Sequence, residues 1–168
     1  NKIIFNKNNS ISVKKIPSTK NIKKLNKNLL LIYTGINRTA EKIANQYANK
    51  LTTDKRESII RIMSYVEEAE KILKSGDIDD FGRLLHDTWI EKKALSSMIS
   101  NSKINEIYDE AIKSGALGGK LLGAGGGGFI MFYVNKVNKD KFVKSLNKNV
   151  VVPIKLSTTG SEVIFNEK

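Results

Sequence analysis

Seven of the chain's twelve glycines fall between residues 118 and 128. The run reads Gly118-Gly119-Lys120-Leu121-Leu122-Gly123-Ala124-Gly125-Gly126-Gly127-Gly128, and Phe129-Ile130-Met131-Phe132-Tyr133 follows it. Glycine loses more backbone freedom on folding than any other residue, so ordering such a run is costly. It makes sense where the chain must take positive φ and approach another group closely. Successive N–H groups of such a turn form an anion-binding concavity. The run therefore reads as a glycine-rich loop feeding a buried strand over residues 129–134. A purely structural turn stays open beside a phosphate-contacting one. Two familiar phosphate motifs do not apply. Gly123, Gly125 and Gly128 satisfy G-x-G-x-x-G, but a dinucleotide-binding turn follows a strand and opens a helix, whereas these glycines precede a strand. A Walker A loop needs Ser or Thr after Gly-Lys, and Gly119-Lys120 is followed by Leu121.

The remaining pattern predicts α+β, a small antiparallel sheet backed by helices. Residues 3–5 and 11–16 alternate around Asn8-Asn9-Ser10 and read as a hairpin. Residues 17–28 read as a polar connection. Leu29 to Tyr33 is a continuous apolar run, expected as a buried strand, with Thr34 to Thr39 after it and a helix expected over 40–51. Ile59, Ile62, Met63, Val66, Ala69, Ile72 and Leu73 recur at helical spacing, with Gly76 expected just past that helix's end. Asp77 or Asp79 caps the next helix, expected to reach about Met98. A third begins near Ser102 and ends at Gly115. After the strand at 129–134 come a short helix over 139–146 and strands over 150–156 and 162–165.

The 168 residues suffice for one compact domain. No run of 18 apolar residues is present, so no membrane-spanning helix is expected. The chain starts at Asn1 with a Lys/Asn-rich segment, which reads as a cut point within a longer polypeptide rather than a signal peptide. Cysteine is absent, which removes disulfides and thiolate metal sites and fits a cytoplasmic home. The formal charge of +12 invites a nucleic-acid reading, but its distribution argues against one. Residues 1–28 hold eight Lys and no acid, residues 29–134 fourteen basic and fourteen acidic side chains, and residues 135–168 seven basic and three acidic. The excess lies at the two ends and reads as solvated lysine.

From Lys120 to Gly128 the sequence resembles the third glycine motif of the small-molecule kinases of the galactokinase, homoserine kinase, mevalonate kinase and phosphomevalonate kinase (GHMP) superfamily. Residues 29–40 (Leu29-Leu30-Leu31-Ile32-Tyr33-Thr34-Gly35-Ile36-Asn37-Arg38-Thr39-Ala40) and 81–89 (Phe81-Gly82-Arg83-Leu84-Leu85-His86-Asp87-Thr88-Trp89) resemble its heptose 7-phosphate kinase branch. Leu122 departs from the Thr or Ser of the mevalonate kinase branch and agrees with the heptose branch. The resemblance implies a ferredoxin-like C-terminal domain over 1–168. It also implies an ATP-dependent sugar-phosphate kinase that turns D-glycero-D-manno-heptose 7-phosphate into the 1,7-bisphosphate. It puts Gly123, Ala124, Gly125, Gly126 and Gly127 beside the nucleotide phosphates. The superfamily's main phosphate loop and its acidic catalytic residue have no match here. ATP and Mg²⁺ are therefore expected mainly on an N-terminal half absent from this chain, no catalytic residue or metal ligand is assigned, and the fragment alone is expected to be inactive.

Four substrate candidates follow. Arg38, after a strand and at a helix start, suits a sugar phosphate held bidentately; the alternative is a surface Arg. Trp89 and Lys93 are four apart on one helical face, so a sugar would stack on Trp89 while Lys93 meets its phosphate. The alternative buries Trp89 in the core with Lys93 at the rim. Lys120 is placed to meet phosphate or a loop carbonyl. Lys92 is expected in solvent. Thr34, Asn37 and Thr39 read as turn formers and caps. His86 reads as a polar helix residue, and one His without Cys makes no zinc site. Two other readings are a non-catalytic module binding RNA through Phe129, Phe132 and Tyr133, and one binding a small-molecule effector.

Overall fold

The computed structural model describes residues 1–17, 20–37, 55–157, 160 and 163–165. A hairpin opens the chain, β1 (Lys2–Phe5) pairing antiparallel with β2 (Ile11–Lys14). Then come α1 (Lys20–Asn28), β3 (Leu29–Tyr33), α2 (Arg56–Ser75), α3 (Ile78–Leu95), α4 (Ser102–Lys113), β4 (Ala116–Leu121), β5 (Phe129–Val134), a 3-10 turn (Lys136–Asn138), α5 (Lys139–Ser145) and β6 (Val151–Pro153). The last four strands form one sheet in the order β4-β5-β3-β6, antiparallel throughout. This is the α+β arrangement expected from the pattern.

Strand alternation divides the core into two layers. Ile130, Phe132 and Val134 of β5, with Leu30 and Ile32 of β3, pack against Ile104, Ile107, Tyr108 and Ala111 of α4 and Phe142 of α5. Tyr133 and Leu29 face the other way, onto Leu25 of α1, Ile72 and Leu73 of α2, and Leu84 and Leu85 of α3. Helix starts are fixed by side chains. Asp77 accepts from Asp79 N at the head of α3, and Asn101 accepts from Ile104 N at the head of α4.

The structure departs from the sequence expectations in several places. Residues 20–28 are helical, not a polar connection. Only Ile22 and Leu25, three apart, mark the inward face among lysines and asparagines, and lysine is itself a good helix former. The glycine run is not all loop. Its first third belongs to β4, because α3 lies so close to that strand that a Cβ on Gly118 would stand 2.1 Å from Gly82 O. Gly76 closes α2 with extended backbone rather than a left-handed turn. Helix α3 stops at Leu95, where Ser96 starts a turn whose carbonyl accepts from Ile99 N. The strand expected over 150–156 is confined to Val151–Pro153, whose proline lacks an N–H and sits on the sheet edge. Residues 163–165 carry no strand. The helix expected over 40–51 lies outside the described residues.

Candidate functional site

Strands β4 and β5 form a hairpin whose connection, residues 122–128, is the glycine loop. Leu122 N donates to Phe129 O at 2.9 Å and closes its base. Two other segments anchor the loop through its backbone. Gly126 N donates to Ile99 O, and Gly128 N to Ile36 O, both at 2.9 Å. Thr34, the residue after β3, returns two bonds to Gly128 O, from its N and from its Oγ1. Asn101 Nδ2 donates to Gly126 O at 3.4 Å. The loop therefore bridges the turn after β3 and the turn after α3.

This path needs glycine. Residues 123, 125, 126 and 128 all hold positive φ, a region costly for other residues. At Gly125 (φ 127°) space is also missing, since a Cβ would lie 2.8 Å from Ile99 Cα. With Gly126 and Gly128 N–H used for anchoring, those of Gly123, Ala124, Gly125 and Gly127 have no partner among the described residues. Unpaired backbone donors in a turn of this kind attract anions.

Two lysines stand at the loop. Lys92, near the end of α3, donates from Nζ to Leu121 O at 3.0 Å and Gly123 O at 2.6 Å. It fastens the end of β4 to the start of the loop. Burial, reinforced by the positive charge of Lys120, pulls its pKa down to about 8. Lys120, on β4, is also half-buried, and burial lowers its pKa. Neither has an acidic partner among the described residues. Lys120 also lines a groove of about 310 Å³ between α2 and α3, with Thr88, Tyr65 and Leu85 among its walls. Two cations without counter-ions, beside free N–H groups, favour a bound anion.

The sequence expected Lys92 in solvent, and the structure corrects this. Leu121 O and Gly123 O draw its stem across β4, an interaction with residues about 30 positions away that helical periodicity does not show. Trp89 is also corrected. It is 0% exposed in the core, and a ring with no surface cannot stack on a sugar. Its Nε1 finds no partner among the described residues. Lys93 does share its face, with Nζ 5.6 Å from the Trp89 ring and 5.9 Å from that of Tyr108, a cation–π position at the core's rim. His86 Nδ1 lies 2.8 Å from Tyr108 Oη, which donates to Gly119 O at 3.2 Å. This chain braces β4 just ahead of the loop. Tyr33 Oη donates to Asn37 Oδ1 within the turn, whereas Thr34 is buried and bonds across to Gly128 O. Arg38 and Thr39 lie outside the described residues.

The family described as "GHMP kinases C terminal" matches residues 67–152, 86 of the 168. The chain belongs to the GHMP kinase C-terminal family. The matched span runs from the second half of α2 to β6, so the glycine loop and Lys92 both lie within it. A D-glycero-alpha-D-manno-heptose 7-phosphate kinase of Campylobacter jejuni subsp. jejuni serotype O:2 is 33% identical over 120 residues, covering 71% of this chain and 35% of that protein. The chain thus spans about a third of that relative's length. Among solved structures, a putative sugar kinase from Campylobacter jejuni superposes with TM-score 0.65 at 27% identity, over 94% of this chain and 45% of that one. A mevalonate kinase superposes with TM-score 0.66 at 29% identity, over 86% and 43%. The fold shared with these two kinases thus covers 86–94% of this chain. No helix among the described residues is long and apolar enough to cross a membrane.

Proposed function

We propose that this chain is the C-terminal domain of a cytoplasmic, ATP-dependent sugar-phosphate kinase that converts D-glycero-D-manno-heptose 7-phosphate to the 1,7-bisphosphate. One observation carries the reading. The glycine loop of a GHMP kinase C-terminal domain offers four N–H groups unpaired among the described residues, with Lys92 bonded to its first residue and Lys120 in the adjoining strand, neither with an acidic partner among those residues. The heptose 7-phosphate kinase named above supports the choice of sugar. In phosphoryl transfer most of the catalytic work is positioning and charge stabilisation. The loop N–H groups of Gly123, Ala124, Gly125 and Gly127 hold phosphate oxygens, whereas that of Gly126, expected from the sequence to join them, is already spent on Ile99 O. Lys92 fixes the loop, and Lys120 adds charge from the groove side. Arg38 is kept as a ligand of the sugar phosphate on sequence grounds, and Lys93 as a rim charge. Trp89 serves as packing.

Among the described residues no three His, Cys, Asp or Glu side chains come together as a metal site, so no Mg²⁺ ligand is assigned and no step is routed through the ion. Most of the nucleotide pocket, the metal ligands and the acidic catalytic group belong to an N-terminal half. Residues 1–168 alone are inactive on this reading. The RNA-binding alternative loses its platform, because Phe132 and Tyr133 are buried on opposite faces of the sheet and only Phe129 is exposed.

The test is an ATP-consumption assay on the full-length protein with heptose 7-phosphate, unphosphorylated heptose and mannose 6-phosphate. Turnover confined to the phosphorylated heptose is expected. Equal turnover of unphosphorylated heptose would remove the sugar-phosphate assignment, and silence with every sugar would move the function to another substrate. ATP-dependent phosphorylation by residues 1–168 alone would refute the division of labour.

A further inference from the structure

The positive charge that the sequence sets at its two ends is brought together by the fold. Lys24 and Lys27 on α1, Lys136 in the 3-10 turn and Lys139 on α5 line one cleft of about 580 Å³. Among the described residues none of the four is ion-paired. Lys139 Nζ donates instead to Lys27 O at 3.1 Å, which ties α5 to the end of α1. Four like charges around one concavity repel each other and concentrate anions from solution.

The cleft's other wall is the head of α3, and it is held firmly. Asp77 caps the helix by accepting from Asp79 N at 3.1 Å. Asp79 Oδ1 accepts from Tyr133 Oη at 2.7 Å, and that oxygen accepts from Asn28 Nδ2 at 2.7 Å. Tyr133 is fully buried, so the wall is fixed to the core. These two carboxylates oppose a continuous polyanion laid across the cleft. The cleft adjoins the Val134 end of β5. The glycine loop adjoins the Phe129 end, about 17 Å away for a six-residue strand.

We propose that this cleft is a second ligand site, taking a compact oligophosphate and separate from the glycine loop. Four lysines supply the anion contacts, and the carboxylate wall excludes an extended nucleic-acid backbone. The assignment does not depend on which sugar the protein phosphorylates.

The probe is tripolyphosphate, titrated by calorimetry at low salt into the full-length protein with its nucleotide site saturated by a non-hydrolysable ATP analogue. Binding is expected, and the double variant Lys27→Glu with Lys136→Glu is expected to weaken it about tenfold. Both side chains are exposed, and the milder pair Lys27→Gln with Lys136→Gln, expected to shift affinity the same way, covers the case of a misfolded charge reversal. Lys120→Met is expected to leave this binding unchanged. No heat of binding in the wild type, or equal affinity in the wild type and both double variants, overturns the proposal. So does tighter binding of a single-stranded oligonucleotide, lost equally on Lys20→Glu with Lys23→Glu, which would make the surface a diffuse nucleic-acid contact.

Discussion

Gly125 offers the sharpest test of the loop. It is buried with φ 127°, and a Cβ there would stand 2.8 Å from Ile99 Cα and 3.1 Å from Ile99 O. Ile99 has no room to yield. It is itself 0% exposed, and its carbonyl holds Gly126 N. Gly125→Ala therefore meets two separate costs. A non-glycine residue in such backbone costs roughly 1–3 kcal/mol, and forcing atoms into a packed site costs roughly another 1–3 kcal/mol. Their sum, roughly 2–6 kcal/mol, is a large part of a domain's stability. Two neighbours separate the costs. Gly123 also has positive φ (70°), but a Cβ there meets nothing within 4 Å, so Gly123→Ala should cost only about 1–2 kcal/mol. Gly127 has no positive φ, but a Cβ would lie 2.5 Å from Ile36 O, so Gly127→Ala shows the crowding alone. The assay is urea unfolding of the 168-residue chain, followed by the fluorescence of Trp89, its single tryptophan. Gly125→Ala should be the most damaging of the three. If it is no worse than Gly123→Ala, the close approach of the loop to Ile99 is wrong, and the anchoring that leaves four N–H groups free falls with it.

Lys92 gives a pH prediction with a definite sign. Its folded pKa, about 8, is below the ordinary 10.5, so between about pH 8 and 10.5 the unfolded chain binds more protons and stability rises with pH. Lys92→Met should flatten that rise in urea midpoints measured across the window; an unchanged slope would show that the ammonium is not buried at the loop. Phosphate affinity at the loop should move the opposite way, falling as pH passes 8 in the wild type and staying flatter in Lys92→Met, as read by nucleotide titration of the full-length protein. Asp77→Ala removes the cap of α3 and should cost about 1 kcal/mol in the same urea assay; a cost under a few tenths would show that the cap is not formed.

Much of the fold was written in local pattern. The apolar run Leu29 to Tyr33, the three- and four-residue spacing of α2 and α4, and the Asn8-Asn9-Ser10 turn each announce one element. The elements missed are those whose local signal is erased by what they touch. Helix α1 shows only Ile22 and Leu25 among its polar residues, because its lysines face water and its other inward contacts are made by asparagine hydrogen bonds, Asn21 to Ile72 O and Asn28 to Tyr133 Oη. Strand β4 reads as loop because Gly118 and Gly119 lack side chains. They lack them because α3 on one side and Phe132 on the other leave no space for a Cβ. A residue chosen for close packing and one chosen for a turn are the same letter, and only the partner tells them apart.

The same reasoning explains why the sequence named Lys93 and passed over Lys92. Spacing along α3 links Lys93 to Trp89, and the structure keeps that link as a contact between an ammonium and two buried rings. Spacing says nothing about what lies across from the helix. That is set where Gly82 meets Gly118, since the depth and angle of this crossing decide which end-of-helix side chain reaches the strand beneath. With α3 seated there, the lysine one position earlier falls over the end of β4 and reaches Leu121 O and Gly123 O. The glycines at the crossing and the glycines of the loop are thus parts of one arrangement. The first pair brings the helix close enough for its lysine to fix the loop, and the second set gives the loop the path on which Gly126 N and Gly128 N reach Ile99 O and Ile36 O.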